Sequence, residues 1–288
     1  MITTYRKALT WGRTQLASVS VIETPQLDAL ILLCHCAKIT KERYFTEPDA
    51  PFDQTQYEYY RRLITERAAC KPVAYCINKR EFFNLEFYVD ERVLVPRPET
   101  ELLVEQALSF LSVKPGPTRV LDMCTGSGCV GISIAHTIPD AEVLLTDISQ
   151  GALEVARKNC TTILQKDLEI ITSDLFSALE GRRFHLIVAN PPYLSHTWLT
   201  EVDSQVRQEP ESALLGGGPD GLDTIRRIVS DACLYLEDNG ALIVECDGRQ
   251  VGEIELLFRM SGFIDIFSKR DLAGIGRIVG GKRSCTRN

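Results

Sequence analysis

The residues best suited to chemistry are Asn190-Pro191-Pro192-Tyr193, which follow the apolar run at 185–189. Two consecutive prolines fix φ and remove two backbone N–H donors. What remains is rich in acceptors: the Asn190 side-chain oxygen and the Pro191 carbonyl. Such a site suits a planar –NH₂ group, which has two hydrogens to donate, and Tyr193 can lie against its plane. An ordinary loop cap would explain an Asn or a Pro, but hardly the whole tetrapeptide.

A second constellation is Asp122-Met123-Cys124-Thr125-Gly126-Ser127-Gly128. Gly126 and Gly128 let the backbone turn tightly and approach a ligand. The helix that follows presents free N–H groups to an anion, either a pyrophosphate or an amino-acid carboxylate. Gly126, Gly128 and Gly131 match the G-x-G-x-x-G spacing, and Asp147 stands where a ribose-binding acid is expected. Nicotinamide dinucleotides and S-adenosylmethionine both suit this loop. Asp122 favours the second, because a carboxylate there suits an ammonium group and repels a pyrophosphate. The two oxygens of Asp147 can accept from both ribose hydroxyls or cap the next helix, and these roles can coexist. Asp174 could accept from the exocyclic amine of an adenine. Leu175 and Phe176 then offer the ring an apolar wall, or are plain core.

These side chains need a scaffold that brings them together. Strands are predicted at 119–123, 141–146, 168–172, 185–189 and 240–246. Helices are predicted at 128–136, 149–160 and 222–236. Such alternation implies βαβ units and a parallel sheet covered on both faces. Asp122, Asp147, Asp174 and Asn190 all fall at carboxyl ends of strands, where such sheets bind ligands. Upstream, Leu27, Leu30, Ile31 and Cys34 have helical spacing, with Thr24-Pro25 as its start. A second helix is expected over 57–69 and a third over 99–111. Residues 82–89 and 92–95 read as a β-hairpin, and Pro115-Gly116-Pro117 as a break. The expected organisation is a helical domain over 1–75, a β-hairpin linker over 76–95 and a catalytic domain over 96–288.

The chain has 288 residues, which suggests two domains at about 150 residues each. Its net charge of −7 argues against gripping duplex nucleic acid through phosphates, which needs a basic face. The ten cysteines are irregularly spaced and fit a reducing, cytoplasmic compartment. Cys34-His35-Cys36 is the tightest group. It lies in an apolar stretch and lacks the spacing and number of zinc ligands, so no metal is expected. Met1 to Leu16 carries no signal-peptide core, and no apolar run spans a bilayer.

The chain resembles the HemK/PrmC family, the S-adenosylmethionine-dependent methyltransferases of peptide chain release factors. Asn190-Pro191-Pro192-Tyr193 and the glycine loop carry the resemblance. It extends to Pro72-Val-Ala-Tyr75, Glu81-Phe82, residues 89–101 (VDERVLVPRPETE), Ser173-Asp-Leu-Phe176, Glu209-Pro210, Ala213-Leu214, Gly218-Pro-Asp-Gly-Leu222 and Asp271-Leu-Ala-Gly274. The resemblance implies a Rossmann-like class I methyltransferase domain (α/β) with a small N-terminal helical domain and a connecting β-hairpin. It also implies methylation of the glutamine in the Gly-Gly-Gln motif of class I release factors, with S-adenosylhomocysteine as the second product. Carried over, cofactor contacts fall on Cys124, Thr125, Gly126, Ser127, Gly128, Asp147, Leu175 and Asn190. Substrate contacts fall on Asn190, Pro191, Pro192 and Tyr193, with Asn190, Pro191 and Tyr193 catalytic. Asp174 is added as a cofactor contact on chemical grounds. The chain departs from the family at Asn78, Asn84 and Cys124, which stand where glycine is usual, at Leu175, where an aromatic is common, and at Ile275-Gly276. None of these removes a proposed chemical role.

The expected reaction is attack of an amide nitrogen on a sulfonium methyl, with no dedicated base. The expected partner is a class I release factor met by a monomer, with no membrane and no direct duplex nucleic-acid binding. An adenine-N6 DNA methyltransferase would present the same –NH₂ to the same tetrapeptide, but needs a basic recognition domain that the chain lacks. A nicotinamide oxidoreductase leaves the tetrapeptide without a task. A non-catalytic S-adenosylmethionine sensor is the third alternative.

Overall fold

The computed structural model describes residues 3–114 and 116–284. Pro115, in the predicted break, and Cys285 lie outside the described residues. The chain divides into two compact units. The first comprises residues 3–79 with Val202–Gln208, and the second comprises Arg80–Glu201 and residues 209–284.

The first unit is helical: α1 (Tyr5–Ala17), α2 (Pro25–Ala37), α3 (Lys41–Thr46), α4 (Gln54–Ala68) and α5 (Val73–Ile77). Thr4, Thr40 and Asp53 cap α1, α3 and α4 by accepting backbone N–H groups. Pro25 opens α2 as predicted, yet the buried face is not the predicted one. Leu27 is exposed, and Ala29, Leu32, Leu33 and Cys36 line the core with Leu30. Residues 29–34 are apolar all round, so periodicity could not select the face. The selector is Asp28, buried against Arg67 of α4, with Nε to Oδ2 at 2.8 Å.

In the second unit, β1 (Arg80–Phe82) and β2 (Leu85–Phe87) form a hairpin. It is tighter than predicted, turning at Phe83 (φ 50°) and Asn84 (φ 58°), both left-handed as a two-residue hairpin turn requires. Residues 92–95 form no strand. Instead Asp90 accepts from the Arg92 N–H and guanidinium and closes a turn.

The central sheet contains β3 (Arg119–Met123), β4 (Glu142–Asp147), β5 (Glu169–Thr172), β6 (Phe184–Ala189), β7 (Leu236–Glu245), β8 (Phe263–Arg270) and β9 (Gly276–Arg283). Its order is β5-β4-β3-β6-β7-β9-β8. The pairs from β5 to β7 are parallel, as expected. Beyond the predicted strands the sheet becomes mixed, because β9 inserts antiparallel between β7 and β8. The sequence predicts no strand beyond residue 246, because β8 is mostly exposed and β9 holds two adjacent glycines, 280 and 281. The helices are α6 (Glu101–Leu111), α7 (Cys129–Thr137), α8 (Gln150–Leu164), α9 (His196–Glu201), α10 (Asp223–Tyr235) and α11 (Val251–Met260).

Alternate strand residues feed two cores, one on each face. Val120, Leu186 and Val188 point to one core with Leu103 and Ile132. Leu121, Met123, Ile187 and Ala189 point to the other with Ile225, Ile228 and Phe258. The strand order reverses between β3 and β6, where Met123 pairs with Ala189. The glycine loop and the Asn-Pro-Pro-Tyr segment therefore leave the sheet side by side, at the switch point where such sheets bind ligands.

Candidate active site

Asp122 lies one residue before the end of β3 and is buried. Its Oδ2 accepts the Thr125 hydroxyl at 2.5 Å and the Gly131 N–H at 2.8 Å. Burial pushes its carboxyl up to about 7, against the pull of those two donors. The carboxylate thus shapes the loop through Oδ2, a structural task beside the ammonium contact that the sequence suggests for it. The Thr125 N–H bonds the Thr146 carbonyl at the end of β4. Cys124 adopts φ 57°, which explains the glycine usual at this position, since the left-handed region disfavours a side chain.

Gly128 (φ 83°) starts α7, and its N–H bonds the Thr125 carbonyl. A Cβ on Gly131 would stand 2.3 Å from Leu145 Cδ2, so this glycine lets α7 approach the sheet. A Cβ on Gly126 (φ 54°) would meet nothing within 4 Å. The Gly126 N–H bonds Asp147 Oδ2 at 2.9 Å, and the Ser149 N–H bonds Oδ1 at 2.9 Å. Ser149, not Asp147, caps α8 by accepting the Ala152 N–H. Burial raises the Asp147 carboxyl, opposed by its backbone donors.

A cavity of about 360 Å³ opens over these strand ends, within the size range of small-molecule sites. Cys124, Thr125, Gly126, Ser127, Asp147, Asp174, Leu175, Asn190 and Pro192 line it. Gly128, Pro191 and Tyr193 are not among its lining residues. Phe176 is core: it is buried and stacks on Tyr235 with ring centroids 4.4 Å apart. Asp174 is held by Arg227, whose Nη2 lies 3.0 Å from both carboxylate oxygens.

Asn190 donates from Nδ2 to Thr100 Oγ1 at 3.2 Å. Behind it, Gln250 of the β7–α11 turn donates to the Tyr193 carbonyl and the Asp220 carbonyl, each at 2.8 Å. The segment around Gly216 and Gly221 packs on the tetrapeptide. A Cβ on Gly216 would stand 2.6 Å from the Pro192 carbonyl, and one on Gly221 2.2 Å from that of Tyr193. Tyr193 packs against the second core, and its burial keeps the phenol neutral.

Residues with no site role in the sequence analysis hold this site together. Asn159 of α8 is buried; its amide donates to the Tyr88 and Ser127 carbonyls and accepts the Tyr88 N–H. Glu209 is buried, accepts the Val95 N–H at 3.0 Å and binds Arg97 at 2.5 Å. Arg227, Gln250, Thr100 and Glu245 complete the set. A mid-helix Asn159 and a turn residue such as Gln250 carry no spacing signal, but Glu245 sits at a strand end like Asp122 and Asp147.

The cavity has the features that an S-adenosylmethionine molecule needs. The Ser127 hydroxyl is buried in its wall with no hydrogen-bond partner among the described residues. Gly126 leaves its backbone open. Asp147 supplies a carboxylate, and Leu175 supplies an apolar wall. Among the described residues, no group of three or more His, Cys, Asp or Glu is placed to hold a metal ion. Burial pushes the Cys36 thiol up to about 12. No helix among the described residues is long and apolar enough to cross a membrane.

Residues 7–77 match the PrmC N-terminal domain, and residues 99–219 match the Methyltransferase small domain. A release factor glutamine methyltransferase of Burkholderia pseudomallei is 40% identical over 262 residues, covering 89% of this chain and 91% of that one. Another, of Geobacter sulfurreducens, is 36% identical over 281 residues, covering 98% and 97%. A T. thermophilus 16S rRNA methyltransferase solved with AdoMet and guanosine shares the fold, with a TM-score of 0.53 and 19% identity over 71% of this chain and 49% of that one.

Proposed function

Because the chain belongs to the release factor glutamine methyltransferase family, we propose that it methylates the side-chain amide of the glutamine in the Gly-Gly-Gln motif of class I release factors. The carrying observation is the pairing of Met123 with Ala189. It puts the glycine loop and Asn190 at adjacent strand ends, so a methyl donor and a planar amide can meet there.

Bound in the cavity, S-adenosylmethionine supplies an electrophilic sulfonium methyl and leaves as S-adenosylhomocysteine. Residues 124–128 hold its amino-acid part, with the Ser127 hydroxyl as a ready donor. Asp147 faces the ribose, and Asp174 and Leu175 face the adenine. Asn190 Oδ1 and the Pro191 carbonyl accept the two N–H bonds of the substrate amide. An amide nitrogen is a poor nucleophile because its lone pair is delocalised. Acceptors on both hydrogens orient it and favour lone-pair density on nitrogen. Pro192 shapes the mouth, and Tyr193 backs the amide plane. The methylated amide is acidic and releases its proton to water, so no base is assigned.

The helical unit is read as the grip on the release factor, in a monomeric, cytoplasmic enzyme. A chain lacking residues 1–75 that folds and works with unchanged KM contradicts that grip. The role of Asn190 is tested by Asn190→Ala. Turnover should fall well beyond any loss of S-adenosylmethionine affinity. A loss of affinity that accounts for the whole loss of turnover contradicts the substrate role.

A further inference from the structure

Glu245 is the last residue of β7, which runs parallel to β6 with Val244 opposite Ala189. Glu245 therefore stands beside Asn190. It is 2% exposed, and its Oε2 has no hydrogen-bond partner among the described residues. A buried carboxylate in that condition is costly to keep, and the mechanism above gives it no task.

Its surroundings indicate one. The polar groups of Thr100 and Asn190, which bond each other beside it, both favour its charged form. Arg277 of β9 favours the charge, although Asp271 holds that guanidinium at 2.8 Å, and Glu99 opposes it. Tyr193, Cys129 and Cys246 lie within electrostatic reach of it, and burial raises all three, which keeps them neutral. Asp247, next along the chain, is held by Arg249.

We propose that Glu245 is the positioning residue for Asn190, taking the Nδ2 edge of its amide together with Thr100 and so turning Oδ1 toward the substrate. The inference rests on the functional reading above. The Asn190 amide has two hydrogens on Nδ2, and one goes to Thr100 Oγ1. The other suits the carboxylate. A flipped amide would set Oδ1 against a negative charge, so the charged Glu245 excludes the unproductive orientation. A protonated Glu245 can donate instead, and the exclusion is lost. Burial pushes its carboxyl up to about 7, so this exchange falls near neutral pH. Turnover should decline as pH falls through that range.

The test uses the full chain, a class I release factor and labelled S-adenosylmethionine, comparing wild type with Glu245→Gln. The variant keeps the shape and loses the charge. Its kcat should fall about tenfold or more, as expected for losing a charged hydrogen-bond acceptor. Its KM for the release factor and its Kd for S-adenosylmethionine should change little, and the acid limb of the kcat profile should disappear. Thr100→Val should lower kcat in the same way, and carries the test if Glu245→Gln does not fold. A kcat and pH profile like wild type overturn the inference alone, as does a loss of cofactor affinity parallel to the loss of kcat. A wild-type protein that binds S-adenosylmethionine and methylates no release factor overturns the functional reading and this inference with it.

Discussion

Asp147 Oδ2 accepts the backbone N–H of Gly126 at 2.9 Å, joining the end of β4 to the glycine loop that leaves β3. The same carboxylate accepts the Ser149 N–H through Oδ1. It therefore orders the cavity floor before any ligand arrives. Each oxygen keeps spare acceptor capacity for a hydroxyl.

Replacing Asp147 should thus weaken binding twice over, through the lost ribose contacts and a loosened loop. Asp147→Asn leaves one acceptor edge for two backbone donors. Isothermal titration with S-adenosylmethionine should show Kd rising about tenfold or more, since a hydrogen bond to a charged group is worth about 1.5–3 kcal/mol. Unchanged affinity would mean that Asp147 only braces the backbone.

Gly126 and Gly128 of the loop and Gly131 of α7 have different tasks, and alanine should separate two of them. Gly131→Ala drives a methyl into Leu145 and Asp122. Overpacking of that kind costs about 1–3 kcal/mol, so Tm should fall by several degrees. Gly126→Ala meets no protein atom but points into open space beside the cavity. Its left-handed backbone adds a strain of about 1–2 kcal/mol. Here the loss of S-adenosylmethionine affinity should exceed what the change in Tm accounts for. Thermal melts with and without cofactor distinguish the two patterns.

The buried Asp122 should make stability depend on pH. Its carboxyl rises from an ordinary 3.8 to about 7 in the fold, chiefly through burial. The native state then holds a proton that the unfolded chain has released. This favourable contribution is complete below the unfolded value and lost as pH rises through about 7. Asp122→Asn keeps an oxygen for Thr125 and Gly131 and cannot ionise. The Tm of the variant relative to wild type should therefore be higher at about pH 8 than at about pH 5. A pH-independent difference would remove the ionisation argument.

Much of the catalytic unit was legible because its signals are local. β3 occupies the predicted residues 119–123, and the predicted acids do cluster at strand ends. The two asparagines that replace family glycines, Asn78 and Asn84, adopt φ 53° and 58°, conformations that asparagine tolerates. What escaped was set by tertiary contact. The buried face of α2 depends on Arg67, 39 residues from Asp28. The clamp by Asn159 reaches Tyr88 across 71 residues. The antiparallel β9 takes its place from pairing with β7 and β8, not from any alternation of its own. Glu245 differs: the strand-end rule that selected Asn190 selects it too, once β7 is placed beside β6.

Methylation of a release-factor glutamine in this cavity is read out by mass spectrometry of a purified class I release factor after incubation with the protein and isotopically labelled S-adenosylmethionine. The expected result is one labelled methyl on the side-chain amide of the Gly-Gly-Gln glutamine, lost with Asn190→Ala. A protein that binds the cofactor and leaves that glutamine unmodified, or labels another residue, is not a release-factor glutamine methyltransferase.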